Sequence, residues 1–380
     1  MTRRGIVLVS VIALASALVG AQTKSAKPLE IYASDTEGGK STLFVSPSGE
    51  SLLIDTGNPG TRDADRIMEM INAAGVKKLD HVLLTHYHVD HIGGLQELAK
   101  RIPIAHFIDH GPSVEEREQV QGFQAAYAEL YSKAKHTVVK PGDKVPIAGL
   151  DWLIVSAGGK VLKTPLSGAG KPNPACSESQ PRENTRDPEN GQSVGSLITL
   201  GQFRAIDLGD LLWNNELDLM CPNNPIGTID LYLVSHHGTD PSGSAALVHG
   251  LRPRVAVMQN GTRKGAAVEV MKTMRSSPGL EDIWQLHWSF TAGAEQNSAG
   301  VFIANVEEPV AAPAGAPAAA APPAGAQATA APAGSPQGPG AGRGNAAHAP
   351  AYWIKISAEP NGTFTVTNSR NSFSKTYSKR

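Results

Sequence analysis

The chain has 380 residues, of which 41% are apolar and 18% are charged. This composition supports a buried core and excludes both an intrinsically disordered and a membrane-embedded protein. The formal net charge of −1 lacks the basic excess of nucleic-acid-binding proteins, so we expect no stable nucleic-acid partner.

The first 21 residues have the pattern of a secretory leader. Arg3 and Arg4 precede an apolar stretch over 5–19, and small residues end at Ala21. The stretch is shorter than the roughly 20 residues that a membrane span needs, which favours cleavage after Ala21 over a retained anchor. We therefore expect a periplasmic or secreted protein that keeps no integral membrane segment after cleavage.

From residue 28 to 308, short β-rich runs alternate with helical periodicities, which predicts an α/β domain. The predicted strands cover 29–33, 42–45, 51–54, 81–84, 104–108, 196–200, 203–208, 229–234, 255–258 and 301–306. The predicted helices cover 63–74, 92–100, 114–132, 211–219, 245–249 and 268–275. Because early strands form hairpins and later ones alternate with helices, we expect two mixed sheets covered by helices on both outer faces, a four-layer αββα sandwich.

The segment 309–350 consists almost entirely of Ala, Pro, Gly and Gln. It offers too little apolar surface to pack, so we predict a disordered insertion. After it, 351–380 contains two alternating runs around Asn361-Gly362, a hairpin signal. We expect this hairpin to complete the same domain as 28–308.

The stretch 160–190 is rich in Pro, Ser, Gly and charge. A stretch of this kind predicts a long surface loop, and loops of that length are usually functional or mobile. It contains one of the two cysteines, Cys176, whose partner could be Cys221. In an oxidising compartment the two can pair, and the sequence leaves open whether they do.

Four metal-ligand side chains follow one predicted strand within six residues. His86, His88, Asp90 and His91 come directly after this strand and before Gly93-Gly94. Imidazole and carboxylate are the ligands that zinc and similar metals prefer. In an extended turn the first two histidines point the same way and can bind one metal, while the aspartate and the third histidine turn toward a second. The spacing therefore predicts a metal site at this strand end.

The motif His-x-His-x-Asp-His resembles the hallmark of the metallo-β-lactamase superfamily, and the resemblance implies that family's αββα fold. Leu53-Ile54-Asp55-Thr56-Gly57 resembles the first family motif, which makes Asp55 a residue that orients the ligand loop through hydrogen bonds. Without the family, the same residues would be an ordinary Asp-Thr-Gly turn.

Two later strand ends resemble further ligand motifs of the family. Asp210, in Asp207-Leu208-Gly209-Asp210, matches the aspartate that bridges two metals. The run Ser235-His236-His237-Gly238 matches the last ligand motif. We favour His236 as the ligand because it follows the strand first, and we assign His237 a catalytic or substrate-binding role, with the reverse assignment open.

One segment departs from the family pattern. Where many members have a histidine in Gly-His-Ser/Thr-Pro-Gly-Ser, this chain has Gln192 in Gly-Gln-Ser-Val-Gly-Ser. An amide oxygen is a much weaker ligand than imidazole, so Gln192 becomes a supporting or substrate-contacting candidate. We expect one or two zinc ions, with manganese possible and one position occupied more tightly than the other.

The missing histidine, the Gly-Asp strand end and the Ser-His-His-Gly motif together resemble the hydrolase domain of the competence protein ComEC, over about residues 28–306. The resemblance implies a metal-dependent hydrolase acting on phosphodiester bonds through metal-activated water, with Asp90 relaying the proton. Its substrate would be a small-molecule or oligonucleotide phosphodiester.

Two alternatives stay open: an acyl hydrolase acting on lactone, β-lactam or thioester bonds, and a catalytically inactive metal-binding module. A final candidate is the run Asn260-Gly-Thr-Arg263-Lys264-Gly265, which follows a predicted strand. Arg263 and Lys264 could bind an anion there, or the run could be a solvated basic turn.

Overall fold

The computed structural model describes residues 27–183, 187–306 and 351–379. The predicted leader over 1–21 and the predicted insertion over 309–350 lie outside these residues. Within the described ranges, no helix combines the length and apolar character needed to cross a lipid bilayer.

Nineteen strands and eight α-helices are found in the described residues. The strands are β1 Leu29–Ala33, β2 Thr42–Val45, β3 Ser51–Ile54, β4 His81–Leu83, β5 His106–Asp109, β6 Lys135–Val138, β7 Asp151–Ala157, β8 Lys160–Val161, β9 Lys171–Pro172, β10 Gly195–Leu200, β11 Phe203–Asp207, β12 Asn223–Asn224, β13 Leu231–Leu233, β14 Val255–Met258, β15 Asp282–His287, β16 Ile303–Asn305, β17 Ile354–Ala358, β18 Phe364–Asn368 and β19 Ser374–Tyr377. The helices are α1 Thr61–Ala73, α2 Val89–Ile92, α3 Leu95–Ala99, α4 Glu118–Tyr131, α5 Trp213–Met220, α6 Ala245–Leu251, α7 Val268–Arg275 and α8 Gly293–Gln296.

Most strands belong to two large sheets. The first has the order β19-β18-β17-β1-β2-β3-β4-β5-β6, and the second has the order β16-β15-β14-β13-β11-β10-β7-β8. In the first sheet β3 to β6 run parallel to one another, and in the second sheet β11 and β13 to β16 do so. The carboxyl ends of parallel strands share one edge of a sheet, which is where α/β proteins place their sites.

The two sheets pack face to face. One apolar cluster contains inward-facing side chains of both, such as Phe44 from β2 and Trp152 from β7, whose ring centroids are 4.9 Å apart. Two further clusters lie on the outer faces, one including Ile67 of α1 and the other Leu247 of α6. Each sheet therefore lies between the central core and a helical layer, and the predicted αββα sandwich is confirmed.

The C-terminal hairpin joins this sandwich. β17 pairs antiparallel with β1, and β18 continues the sheet beside β17. The tight connection contains Gly362, whose φ of 88° is a value that glycine adopts without strain. The strand β19, which the sequence analysis did not predict, extends the edge by one more pairing.

The stretch over 160–190 contains short ordered pieces within the described residues. β9 pairs with β12, and a 3₁₀ turn runs over Pro174–Glu178. Cys176 in that turn is disulfide-bonded to Cys221, with their Cα atoms 5.9 Å apart. The question that the sequence left open is thus answered by the structure, and the bond ties this stretch to the end of α5.

Candidate metal centre

The ligand loop begins where β4 ends. His86 lies in the segment between β4 and the short helix α2, His88 has an extended backbone at the start of that helix, and α2 then carries Asp90 and His91. Gly94 follows, and a Cβ atom there would overlap the carbonyl oxygen of Thr56. The glycine therefore allows the loop to pack directly on the segment after β3, which brings the ligand side chains to the edge of the first sheet.

Asp55 supports the ligand loop from beneath. Its φ is 57°, an unusual value that aspartate tolerates better than most residues. The buried carboxylate accepts hydrogen bonds from Thr85 N (2.8 Å), Thr85 Oγ1 (2.7 Å) and His91 Nδ1 (2.8 Å). Because Nδ1 of His91 donates to Asp55, its Nε2 is left to face the site. These hydrogen bonds are of the kind that the family resemblance implies for Asp55.

Asp210 lies at the centre of the site. It follows β11 after Gly209, and its backbone N–H donates to Ser193 Oγ at 3.1 Å. Its Oδ2 is within 4.0 Å of the Nε2 atoms of four histidines. The distances are 3.2 Å to His91, 3.5 Å to His237, 3.6 Å to His236 and 4.0 Å to His86. One carboxylate thus reaches ligand side chains from both sheets.

His237 completes a four-residue cluster. Its Nε2 lies 3.1 Å from Asp90 Oδ2, and its Nδ1 donates to the carbonyl oxygen of Gln259 at 3.1 Å. The ligand atoms of Asp90, His91, Asp210 and His237 all lie within 4.8 Å of one another. The order of residues after the strand favours His236 as the ligand, whereas the geometry favours His237 in this cluster.

The backbone conformation explains why His237, and not His236, joins the cluster. His236 and His237 both have left-handed conformations, with φ of 52° and 54°. The turn directs the first imidazole to Ser242, whose Oγ lies 3.0 Å from His236 Nδ1, and returns the second to the cluster. His236 remains at the side of the site, with Nε2 facing Asp210 and the Asn190 amide 3.5 Å away.

A second possible metal position lies beside the cluster. His86 Nε2 and His88 Nδ1 are 3.0 Å apart, and Asp210 is the carboxylate nearest to His86. Burial and the neighbouring imidazoles hold the pKa of His86 well below its usual range. A neutral imidazole is the form that binds metal.

The donor atoms fit a divalent cation. In the described part of the chain, His91 Nε2, His237 Nε2 and Asp210 Oδ1 are buried and have no hydrogen-bond partner. Leaving such atoms without a partner is unfavourable, and a cation held in the four-residue cluster would satisfy both imidazole nitrogens. Although burial opposes its ionisation, Asp210 has a pKa well below its usual range because of the surrounding imidazoles. Imidazole nitrogens with carboxylates suit zinc and similar metals.

Two carboxylates orient His88 from outside the centre. His88 Nε2 donates to Glu115 Oε1 at 3.2 Å and lies 2.9 Å from Asp187 Oδ1. Burial would lower the pKa of His88, but these two partners raise it to about 9. The contact fixes the ring so that Nδ1 faces His86. Neither Glu115 nor Asp187 belongs to a motif, so no sequence pattern marks them.

A buried glutamate ties the ligand loop to the stretch before β10. Glu189 accepts hydrogen bonds from Tyr87 N (3.1 Å), His110 Nε2 (2.9 Å), Ser113 Oγ (2.8 Å) and Val114 N (3.0 Å). Burial opposes the ionisation of Glu189, but His110 and the other donors hold its pKa below its usual range. This network was also missed from the sequence.

Gln192 lies away from the imidazoles. Its Nε2 donates to the carbonyl oxygen of Pro188 at 3.3 Å, and its amide packs near Gly159. The amide from this segment that reaches the site belongs to Asn190, which is buried beside His236. Gln192 occupies the position that matches the family's histidine, but the amide that faces the site is that of Asn190.

A buried ion pair joins the two sheets below the centre. Lys40 Nζ and Asp207 Oδ1 are 2.7 Å apart, and both side chains are buried. The backbone N–H of Lys40 donates to the carbonyl oxygen of Asp90 at 3.0 Å, and Asp207 Oδ1 accepts from Gly209 N at 2.9 Å. Lys40 thus connects the turns that carry Asp90 and Asp210.

Lys264 reaches the centre from the loop after β14. Its Nζ contacts Asp90 Oδ2. The loop is tightly held, because a Cβ atom at Gly265 would overlap the carbonyl oxygen of His237. Arg263 points elsewhere, with its guanidinium carbon 4.7 Å from the ring centroid of Phe290. In the basic run predicted from sequence, Lys264 therefore contacts the centre, whereas Arg263 packs on Phe290.

The family model for the metallo-beta-lactamase superfamily matches residues 35–171. Over these residues the chain is similar to the metallo-β-lactamase superfamily, whose fold is the αββα sandwich described above. The match includes the ligand loop and Asp55, while Asp210 and His237 lie beyond it and join the same centre in space.

Two curated relatives and one solved structure show what this chain is similar to. It is 25% identical over 220 residues to competence protein ComA of Neisseria gonorrhoeae, covering 58% of this chain and 25% of ComA. It is 34% identical over 114 residues to ribonuclease Z of Methanopyrus kandleri (strain AV19), covering 30% of this chain and 37% of that protein. The metallo-beta-lactamase fold protein YhfI of Bacillus subtilis aligns with a TM-score of 0.40 at 15% identity, covering 68% of this chain and 96% of YhfI.

The chain therefore spans about a quarter of the length of ComA and little more than a third of the ribonuclease. The similarity to ComA agrees with the resemblance to a ComEC-type hydrolase domain that the sequence analysis described.

Proposed function

We propose that this chain is a metal-dependent hydrolase that cleaves phosphodiester bonds in small molecules or oligonucleotides. The observation that carries the proposal is Lys264, whose ammonium group contacts Asp90 while 43% of the side chain remains exposed. A phosphodiester has its negative charge on oxygens bonded to the reacting phosphorus, where an ammonium group can bind it. A lactone has no such charge at its reacting carbon.

The relatives support the same substrate class. One of the two proteins described above is named a ribonuclease, and ribonucleases act on phosphodiester bonds. The other is named a competence protein. Because this chain covers only part of each, their names alone do not set its substrate, and Lys264 carries the proposal.

The residues divide between metal binding and substrate binding. Asp90, His91, Asp210 and His237 would hold one cation, and His86 and His88 would share Asp210 to hold another. Zinc is the metal best suited to these donors, with manganese as the alternative; when bound, it would polarise the substrate and lower the pKa of a water molecule.

The chemical step joins water to phosphorus. An O–H bond of water breaks, its oxygen bonds to phosphorus, and the ester P–O bond breaks to release an alcohol that takes up a proton. Asp90 Oδ2 would relay the proton, because Lys264 and His237 both contact this oxygen. Although burial opposes its ionisation, Lys264 and His91 hold the pKa of Asp90 well below its usual range, so the carboxylate is ionised and has oxygen lone pairs to accept a proton.

His236 would contact the substrate. Of the five histidines around the centre, it has the most exposed side chain, and its Nδ1 is anchored on Ser242. Its Nε2 faces the same Asp210 oxygen that the metal ligands surround. A leaving oxygen at the centre would lie within reach of this imidazole.

Export through the leader over residues 1–21 is part of the proposal. The Cys176–Cys221 disulfide supports it, because disulfides persist mainly in oxidising compartments. N-terminal sequencing of protein recovered from the periplasm and the medium tests it. We expect a chain beginning at Gln22, and an uncleaved chain found only in the cytoplasm would contradict export.

A chromogenic substrate panel tests the activity. Purified protein is assayed on bis(p-nitrophenyl) phosphate, p-nitrophenyl phosphate, a lactone and a cephalosporin, with metal content measured on the same sample. We expect the phosphodiester to be the best substrate. Preference for the lactone or the cephalosporin would favour the acyl hydrolase, and metal without turnover would favour an inactive module.

Two substitutions make the panel specific to this centre. Lys264→Met should raise KM for the phosphodiester by roughly 10- to 100-fold, as expected for losing a charged hydrogen bond, while Lys264→Arg retains much of the affinity. Asp90→Asn should lower kcat more than it changes KM. Equal losses on charged and uncharged substrates in Lys264→Met would contradict the assigned role of the lysine.

A further inference from the structure

We propose that Arg263, Trp288 and Phe290 form a binding subsite for a nucleobase attached to the scissile phosphate. We call these three residues the aromatic rim. The inference rests on the proposed phosphodiesterase function and narrows its substrate to nucleotide esters.

The aromatic rim exposes a flat apolar surface beside a cation. Phe290 is 40% exposed, and its ring centroid lies 4.8 Å from that of Trp288 at an interplanar angle of 82°. The guanidinium carbon of Arg263 lies 4.7 Å from the Phe290 centroid. Aromatic rings and arginine planes are the groups on which unpaired bases stack.

The rim is fixed to the loop that carries Lys264. Phe290 N donates to the carbonyl oxygen of Thr262 at 2.8 Å, and Ser289 Oγ donates to that of Gly265 at 3.5 Å. A Cβ atom at Gly261 would lie 2.8 Å from the carbonyl oxygen of Glu37, so this loop also packs closely on the turn after β1. The rim and the lysine therefore belong to one packed unit.

The rim adjoins the metal centre. Arg263 directly precedes Lys264, and consecutive Cα atoms are about 3.8 Å apart. Lys264 Nζ contacts Asp90 Oδ2, whereas Arg263 extends over Phe290. A ligand suited to both would carry a negative charge at one end and a flat aromatic group at the other. A nucleotide has this arrangement, with its phosphate at Lys264 and its base on the rim.

A pair of substrates isolates the contribution of the nucleoside, and the variants at Phe290 then assign the part that comes from the base. Thymidine 5′-(p-nitrophenyl phosphate) and methyl p-nitrophenyl phosphate have the same leaving group and the same charge, and differ in thymidine against methyl. The readout is the ratio of their kcat/KM values, measured with the full chain loaded with its metal. We expect the wild-type protein to prefer the thymidine ester.

Variants at Phe290 then test the rim. Phe290→Leu keeps an apolar side chain without a ring, and we expect it to lower the preference ratio by about 5- to 150-fold, the range for losing one base-stacking contact. Phe290→Tyr keeps the ring and should retain the preference. An unchanged ratio in Phe290→Leu, or an equal loss in both variants, would overturn the proposal.

A binding experiment separates failure of the rim from failure of the proposed function. Thymidine 5′-monophosphate and inorganic phosphate are titrated separately into metal-loaded protein while tryptophan fluorescence is followed, with Trp288→Phe assigning the signal. We expect tighter binding of the nucleotide, lost in Phe290→Leu. If no phosphodiester is hydrolysed but this result holds, the rim stands and the proposed reaction falls. Equal affinity for both ligands would overturn the rim.

Discussion

His237 Nε2 lies 3.1 Å from Asp90 Oδ2, in a pair that joins the second sheet to the first. The aspartate is delivered by the helix that follows β4, and the histidine by a left-handed turn after β13. The metal centre is therefore built across the sandwich, and neither sheet alone contains a full set of ligands.

The two adjacent histidines should differ in their effect on metal binding. His237→Gln removes a donor from the four-residue cluster, and we expect it to weaken the tighter metal by at least about 100-fold, more than the loss of a supporting contact. His236→Gln is the matched control and should retain that metal. Metal content after dialysis against a weak chelator measures both, and greater loss in His236→Gln would restore the preference drawn from the sequence.

Asp55 should control metal affinity without binding the metal. Asp55→Asn retains a residue type that tolerates a φ of 57°, but it weakens the acceptor that orients Thr85 and His91. We expect a 10- to 100-fold loss of metal affinity, roughly as for other supporting residues, with thermal stability of the metal-free protein changed far less. A variant that binds metal as the wild type does would refute this role.

Glu216 should make stability depend on pH. Burial raises its pKa to about 7 from 4.5, although Gly243 N and Ser244 N donate to it. Between these values the folded state holds a proton that the unfolded state has lost, so stability falls as pH rises through that window. The expected loss is about 3 kcal/mol.

Urea unfolding at pH 4.5 and pH 7.5 measures the effect, with Glu216→Gln as the control that cannot ionise. The wild type should lose stability relative to this variant as the pH rises. A constant difference between the two proteins across the window would show that the carboxyl group of Glu216 does not titrate as described.

The disulfide should stabilise the fold but leave the metal centre intact. Cys176 and Cys221 are 45 residues apart in sequence, and closing a loop of this length stabilises a protein by up to about 4 kcal/mol through the unfolded state. The double variant Cys176→Ser/Cys221→Ser should therefore unfold at lower urea concentration while binding metal normally. Equal stability of the double variant and the oxidised wild type would contradict this expectation.

Local patterns in the sequence predicted much of the fold. The bounds of β1, β2, β3 and β14 match the predictions, because each is a short apolar run bordered by turn residues. The strand β6 was missed, since its residues are half-buried or exposed and carry little apolar signal. The predicted helix over 92–100 is divided into α2 and α3 around Gly93-Gly94.

The site was predictable only where a local pattern in the sequence marks its residues. The spacing of His86, His88 and His91 is visible in the chain, and so is the carboxylate after a strand at Asp210. Glu189 bonds to Tyr87 across 102 residues of sequence, and no local pattern marks such a partner. The choice between His236 and His237 depends on the left-handed backbone conformation of both residues, which their residue types do not encode.

A comparison of metal content between the wild type and a variant that lacks the Asp210 carboxylate most directly tests the claim that these residues hold a metal. Wild-type protein purified without added metal is compared with Asp210→Asn by elemental analysis, and the coordination of the bound metal is examined by X-ray absorption. We predict bound zinc or manganese coordinated by imidazole nitrogen and carboxylate oxygen in the wild type, and most of it lost in the variant. Hydrolysis that persists in metal-free wild-type protein, or equal metal content in the two proteins, would contradict the account.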